Sequence, residues 1–145
     1  MSDRQEEELK CPECGHAQMT VYYQSINVNF NPELKEELFK GRLNLFECEE
    51  CGHKALIDLM FLYHDMEKMF CVQYYPFERV MQKDERLAEM YTIEGKLKLP
   101  DNVRLAEIAG YMLDPHIVLS LEEMVRYVQF RDVLYEKLAN DKSKH

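Results

Sequence analysis

Apolar positions change their spacing along this chain, and each change marks an element. From Met19 to Val28 they are dense, with several β-branched or aromatic residues, which predicts a strand. Asn31, Pro32 and Glu33 then mark a helix start, with asparagine as cap, proline at the first helical position and an acid in the first turn. Leu34 and Leu38 share one face of a short helix over 32–40, which Gly41 ends. Residues 43–46 predict a strand. Residues 54–63 predict another, apolar enough to be buried on both faces. His64, Asp65, Met66, Glu67 and Lys68 form a polar turn, and residues 69–75 return as the second arm of a hairpin.

From Pro76 the period lengthens. Phe77, Val80, Met81, Leu87, Ala88 and Tyr91 recur at three- and four-residue steps, which predicts a helix that ends near Gly95. Leu97 and Leu99 alternate with Lys98 as a short strand, and Asp101 or Asn102 caps a helix that runs through Met112. A turn at Asp114 and Pro115 precedes a brief strand over 117–119. Ser120 and Glu123 fit a capping box for a last helix over 121–139, with an apolar stripe that includes Leu121, Met124, Val128, Leu134 and Leu138. The expected organisation is a disordered lead-in over 1–9, a zinc-ribbon-like β core over 10–75, a mainly helical part packed on that core over 76–140, and a tail over 141–145.

The chain has 145 residues, enough for one domain with a sizeable core. No apolar run approaches the length of a membrane span, and the acidic N-terminus lacks the apolar segment of a secretory signal. A cytoplasmic protein with reduced thiols is therefore expected. The net charge of −9 repels a phosphate backbone at long range. Lys96 and Lys98, with Lys142 and Lys144, are the densest basic positions, and they read as solvated side chains. Nucleic acid is thus disfavoured as a partner.

The chemistry sits in two hexapeptides of identical pattern, Cys11-Pro12-Glu13-Cys14-Gly15-His16 and Cys48-Glu49-Glu50-Cys51-Gly52-His53. Two residues between cysteines turn both sulfurs to one side, and glycine after the second cysteine accepts a positive φ. Two such knuckles supply the four soft ligands of a closed tetrahedral site. Cys11, Cys14, Cys48 and Cys51 are therefore expected to hold one structural Zn2+. Disulfide exchange is the rival reading, but each motif leads into a strand and not a helix, and there are two copies. Release of zinc on oxidation stands as a hybrid of the two.

The spacer between the knuckles agrees with a known family as well. Cys11 to Gly15, Asn31 to Leu38 with Gly41, then Asn44, Phe46 and Cys48 to His53, resemble the CpXC family, with Ile117 to Met124 similar in its C-terminal part. Glu49 stands where the family's name motif has proline, a position that is not a ligand. The resemblance implies a zinc-binding domain and no established activity.

Other candidates carry less. His16 and His53 follow a filled tetrahedron and read as packed or solvent-facing. Cys71, alone in an apolar strand, reads as a buried, inert thiol. His64, Asp65 and Glu67 read as a solvated turn, and His116 is uninformative. The sequence has no nucleotide-binding loop, zinc-protease or nucleophile-elbow motif, so no catalytic or cofactor-binding residue is assigned. Nine methionines and nine tyrosines mostly fill the core, with Met66, Met69 and Tyr74 as an interface candidate. The expected fold is α+β: a zinc-ribbon-like antiparallel sheet with an inserted short helix and C-terminal helices. The expected role is a zinc-stabilised, non-catalytic module that binds a protein partner or itself. The alternatives are an enzyme with a pocket beside structural zinc, its small-molecule substrate unspecified, and a thiol/zinc redox switch.

Overall fold

The computed structural model describes residues 2–82, 85–96, 98 and 110–143. The fold is α+β. Its main sheet has five strands in the order β1 (Asp3–Lys10), β2 (Ala17–Asn27), β5 (Phe61–Asp65), β6 (Phe70–Tyr74) and β7 (His116–Val118). A second sheet joins β3 (Leu45–Glu47) to β4 (Lys54–Leu56). The helices are α1 (Pro32–Phe39), α2 (Phe77–Met81), α3 (Arg86–Met90) and α4 (Leu121–Ser143).

The expected antiparallel sheet is mixed. β1 with β2 and β5 with β6 are antiparallel, whereas β5 runs parallel to β2 and β7 parallel to β6. Parallel neighbours need long crossovers. Here the first crossover carries α1 and the β3–β4 hairpin, and the second carries α2, α3 and a 3-10 turn at Gly110–Leu113.

Residues 3–10 are a strand and not a disordered lead-in. All eight residues pair with β2, although most of their side chains are exposed. Its glutamates sit on an outer strand, where charge discourages pairing with a further chain. Ser2 adds a tie: its Oγ accepts from the Asn27 amide (3.0 Å) and donates to Asn31 Oδ1 (2.7 Å). Asn31 is the N-cap residue of α1 as expected, with Pro32 in the first turn, but its side chain bonds Ser2 and Glu33 and makes no cap bond.

The strand expected over 54–63 is broken. β4 ends at Leu56, and the chain crosses over 57–60 before β5 starts at Phe61. Asp58 interrupts the apolar run there, and its Oδ1 accepts from the Tyr74 hydroxyl at 2.7 Å. The helix expected from Phe77 to Tyr91 is divided into α2 and α3. Leu97 and Leu99 of the strand expected over 97–99, and most of the helix up to Met112, lie outside the described residues. α4 starts where expected, with Ser120 Oγ accepting from the Glu123 amide at 3.1 Å, and it continues to Ser143, through most of the expected tail.

The main core lies between the sheet and the helices α1 and α4. Ile26, Phe61, Tyr63, Phe70, Val72 and Val118 meet Leu34 and Leu38 of α1 and Met124 and Val128 of α4. Alternation along β5 puts Phe61, Tyr63 and Asp65 on this buried face, whereas β6 is buried throughout. A smaller cluster gathers Cys11, Phe46 and Cys48, with Leu9 and Ile57 packed on it.

Candidate metal centre

Each hexapeptide is the turn of a hairpin, the first joining β1 to β2 and the second β3 to β4. The two turns repeat one hydrogen-bond pattern. The Cys11 amide donates to the His16 carbonyl (2.8 Å) and the Gly15 amide to the Cys11 carbonyl (2.9 Å); Cys48 does the same with His53 (2.9 Å) and Gly52 (3.0 Å). Gly15 and Gly52 have φ of +79° and +76°. A Cβ would meet nothing within 4 Å at either, so it is the backbone conformation and not crowding that calls for glycine.

The structure brings Cys11, Cys14, Cys48 and Cys51 together. Their four Sγ atoms lie within 4.8 Å of one another, and all four are free thiols. The closest pairs cross between the turns, Cys14 to Cys48 at 3.5 Å and Cys11 to Cys51 at 3.6 Å. Four thiolates around one tetrahedral ion sit about 3.8 Å apart, so this cluster can hold a metal. Cys11 and Cys48 are buried in the small core, whereas Cys14 and Cys51 are exposed. The Glu13 amide points at Cys11 Sγ at 3.4 Å. At Cys48 the backbone amide of Cys51, with that of Glu50, outweighs burial and lowers the thiol to about 6. At Cys51 the His53 amide pulls the other way, but burial and proton sharing with three sulfurs push the thiol up to about 12. A bound cation would favour the thiolate form of the ligands.

Two carboxamides hold the second turn against the first hairpin; neither is assigned a role at the site on sequence grounds, although Asn44 belongs to the residues that resemble the family pattern. Gln18 of β2 donates through Nε2 to the Glu47 carbonyl (2.9 Å), and its Oε1 accepts from the Glu49 amide (2.9 Å). Asn44 bonds the Tyr23 amide and carbonyl from the other side. A glutamine inside a strand and an asparagine before one are too ordinary to be singled out. Asn44 also has a left-handed φ of +56°, which asparagine tolerates better than most residues.

The remaining candidates fall elsewhere. His16 stands 3.8 Å from Glu49, outside the sulfur cluster. Cys71 is buried in β6, and burial pushes its thiol up to about 12, as an inert core cysteine requires. His64 Nε2 lies 2.7 Å from the Tyr111 hydroxyl. Asp65 corrects the reading of a solvated turn: it is 2% exposed, and its Oδ1 accepts from the Lys68 amide at 3.0 Å. Met66 and Met69 are exposed at that turn, whereas Tyr74 is buried. A cleft of about 480 Å³ beside β1 and β2 holds Glu7, bonded at 2.8 Å to the Tyr22 hydroxyl, with no histidine or second carboxylate in its lining. No helix among the described residues is long and apolar enough to cross a membrane.

Comparison with curated proteins and with solved structures yields no match. The model of one family, described as CpXC protein, matches residues 9–136, and the chain therefore belongs to the CpXC family.

Proposed function

We propose that Cys11, Cys14, Cys48 and Cys51 hold one structural zinc ion, and that the protein is a zinc-stabilised, non-catalytic module that binds other proteins. The observation that carries the metal reading is the convergence of four sulfurs from two matching turns. Sulfur-only ligation suits zinc, and four protein ligands leave no position for a substrate. The protein-binding reading is supported by large apolar side chains left exposed, among them Phe30, Met69, Met81 and Phe130. The zinc is then a clamp that fixes two hairpins to one another.

The test is elemental analysis of the purified full chain alongside a thiol titration. One zinc per chain, four shielded thiols and a fifth that reacts only after unfolding are expected. Metal-free protein whose cysteines oxidise in pairs overturns the metal reading. Light scattering that finds only monomer, together with failure to bind any peptide or protein, overturns the interaction reading.

Exposure of Cys14 and Cys51 favours a second reading, release of the ion on oxidation. Hydrogen peroxide would take two electrons from two thiolates, form one disulfide and be reduced to water. Zinc release at sub-millimolar peroxide that dithiothreitol reverses supports it, and release only with general unfolding excludes it.

A further inference from the structure

The second half of α4 runs past the sheet that anchors the first half. Met124 and Val128 are fully buried, but over 130–139 the helix is mostly exposed, including Val133, Leu134, Tyr135 and Leu138. A helical segment without tertiary packing is marginal in water, and apolar residues on it call for a covering surface.

One side of this segment faces the tip of the β5–β6 hairpin. Between them lies a groove of about 310 Å³, lined by Glu67, Lys68, Met69, Arg131, Leu134 and Tyr135, and by Leu138 further along the helix. Met69 is 64% exposed and has a φ of +55°, the left-handed region that a side chain disfavours. The turn is held from outside. Asn29 Oδ1 accepts from the Met66 and Glu67 amides (2.6 and 3.4 Å), and Asp65 Oδ1 accepts from the Lys68 amide (3.0 Å). The fold thus displays an adaptable apolar side chain at the groove's edge.

The two cations of the groove differ. Lys68 is held by Asp132 at 2.8 Å and Asp65 at 3.8 Å. Arg131 has no carboxylate partner among the described residues. Its guanidinium lies 4.5 Å from the Phe70 ring centroid and 5.9 Å from that of Tyr127, and it donates to the Tyr127 hydroxyl at 3.1 Å. Aromatic faces orient the planar fork without neutralising it, so it is ready to receive a carboxylate in two-point contact.

We infer that this groove docks a protein segment presenting a carboxylate beside aliphatic or aromatic side chains. The carboxylate sits on Arg131, and the apolar side chains sit between Met69 and Leu134 with Leu138. This names the partner chemistry of the interaction module proposed above and rests on that reading. Charge complementarity selects the occupant: Arg131 is the cation of this lining that no carboxylate of the described residues neutralises, so a purely apolar segment would cover it unpaired.

The probe is a random dodecapeptide phage library, panned on the zinc-loaded full chain, with selected peptides measured by fluorescence anisotropy. Enriched peptides are expected to carry aspartate or glutamate next to leucine, isoleucine or phenylalanine. Arg131→Met and Leu138→Asp should each weaken binding by about tenfold or more, and Arg131→Lys by less. Leu138 is 53% exposed, so its variant leaves the core intact. Enriched peptides that lack acids, or that bind the variants undiminished, overturn the groove and leave the interaction reading standing. A library with no enrichment on folded, zinc-loaded protein overturns both. A dimer in sedimentation velocity that Leu138→Asp dissociates assigns the groove to a second copy of the chain and overturns the acidic segment.

Discussion

Asn44 pairs with Tyr23 as a strand residue would. Its Oδ1 accepts from the Tyr23 amide at 2.7 Å and its Nδ2 donates to the Tyr23 carbonyl at 2.9 Å. β5 takes up pairing with β2 only at Ser25, so the carboxamide fills the ladder just before that point. The Asn44 carbonyl meanwhile accepts from the Ile57 amide at 2.7 Å, which fixes the far side of the second hairpin. One residue therefore joins the two cysteine-bearing hairpins.

Replacement of Asn44 should destabilise the protein in two separable parts. Asn44→Ala loses both bonds and sets alanine in a left-handed conformation, an expected loss of about 2–4 kcal/mol. Asn44→Gly loses the bonds but keeps the backbone at ease, and should lose less. Urea denaturation of the zinc-loaded variants measures both. Equal losses would remove the conformational part, and losses below about 0.5 kcal/mol in both would remove the stitch.

Metal removal should be felt unevenly across the fold. β3 and β4 are three residues each and pair only with one another, and the core beneath them is Cys11, Phe46 and Cys48 with two partial neighbours. If the proposed zinc is bound there, so small a unit should depend on it, because the apparent contribution of a structural zinc is on the order of 10 kcal/mol at neutral pH. The core under α1 and α4 contains none of the four ligands. Chelation, or Cys48→Ser, should strip hydrogen-exchange protection from residues 44–57 and from the turn after β1, while β5 and β6 retain theirs. Uniform protection with and without metal would show that the ion is not structural.

What could be read from the sequence follows from the range of the interactions. Both knuckles, α1 with Leu34 and Leu38 inward, the hairpin after Phe61 and the Ser120 start of α4 are set by residues close to one another in the chain. β1 was not legible, because Glu6, Glu7 and Glu8 lack a buried face and their backbone is ordered by β2 and not by burial. The parallel contacts of Ser25 with Leu62 and of Gln73 with Ile117 join distant segments, and no local pattern announces them. Asp65 looked like a turn acid in solvent because Asn29, which donates to it, comes from a loop 36 residues away, while only Lys68 is local.

Asp132 makes the stability depend on pH at both ends of the scale. It bridges Lys35 at 2.7 Å and Lys68 at 2.8 Å, joining α1, the β5–β6 turn and α4. Burial raises its carboxyl, but the two lysines outweigh that and hold it below the ordinary range. Burial likewise lowers Lys68, and Asp132 outweighs it to leave the ammonium above its usual value. The depressed acid stabilises the fold above the unfolded carboxyl value of about 3.9 and loses that effect as pH falls through its folded value. The raised base stabilises below about 10.4 and loses that effect as pH climbs past its folded value. Asp132→Asn should therefore cost about 1–2 kcal/mol near neutrality, given side chains still partly open to water. In urea melts of both proteins from pH 3 to 11, the gap should narrow towards either end. A gap that is constant with pH would mean that Asp132 acts by packing and not by charge.

Tyr63 offers a prediction of opposite sign. It is fully buried on the core face of β5, and its hydroxyl has no hydrogen-bond partner among the described residues. Burial first, then the charges of Asp132 and Asp65, push its phenol far above the usual tyrosine value, so the group stays neutral at any physiological pH. A buried hydroxyl without a partner costs about 1–3 kcal/mol. The ring itself contributes packing, stacked on Phe70 with centroids 5.9 Å apart, and phenylalanine keeps all of it. Tyr63→Phe leaves a void no larger than one oxygen, so the net expectation is a gain of about 1 kcal/mol and a melting point about 2–5 °C higher. Differential scanning calorimetry of the zinc-loaded protein reads this directly. A loss in place of a gain would mean that the hydroxyl is bonded in solution. The double variant with Asp132→Ala, which removes the acceptor oxygens, then tests Asp132 as the partner: the loss vanishes in that background only if Asp132 accepts from Tyr63.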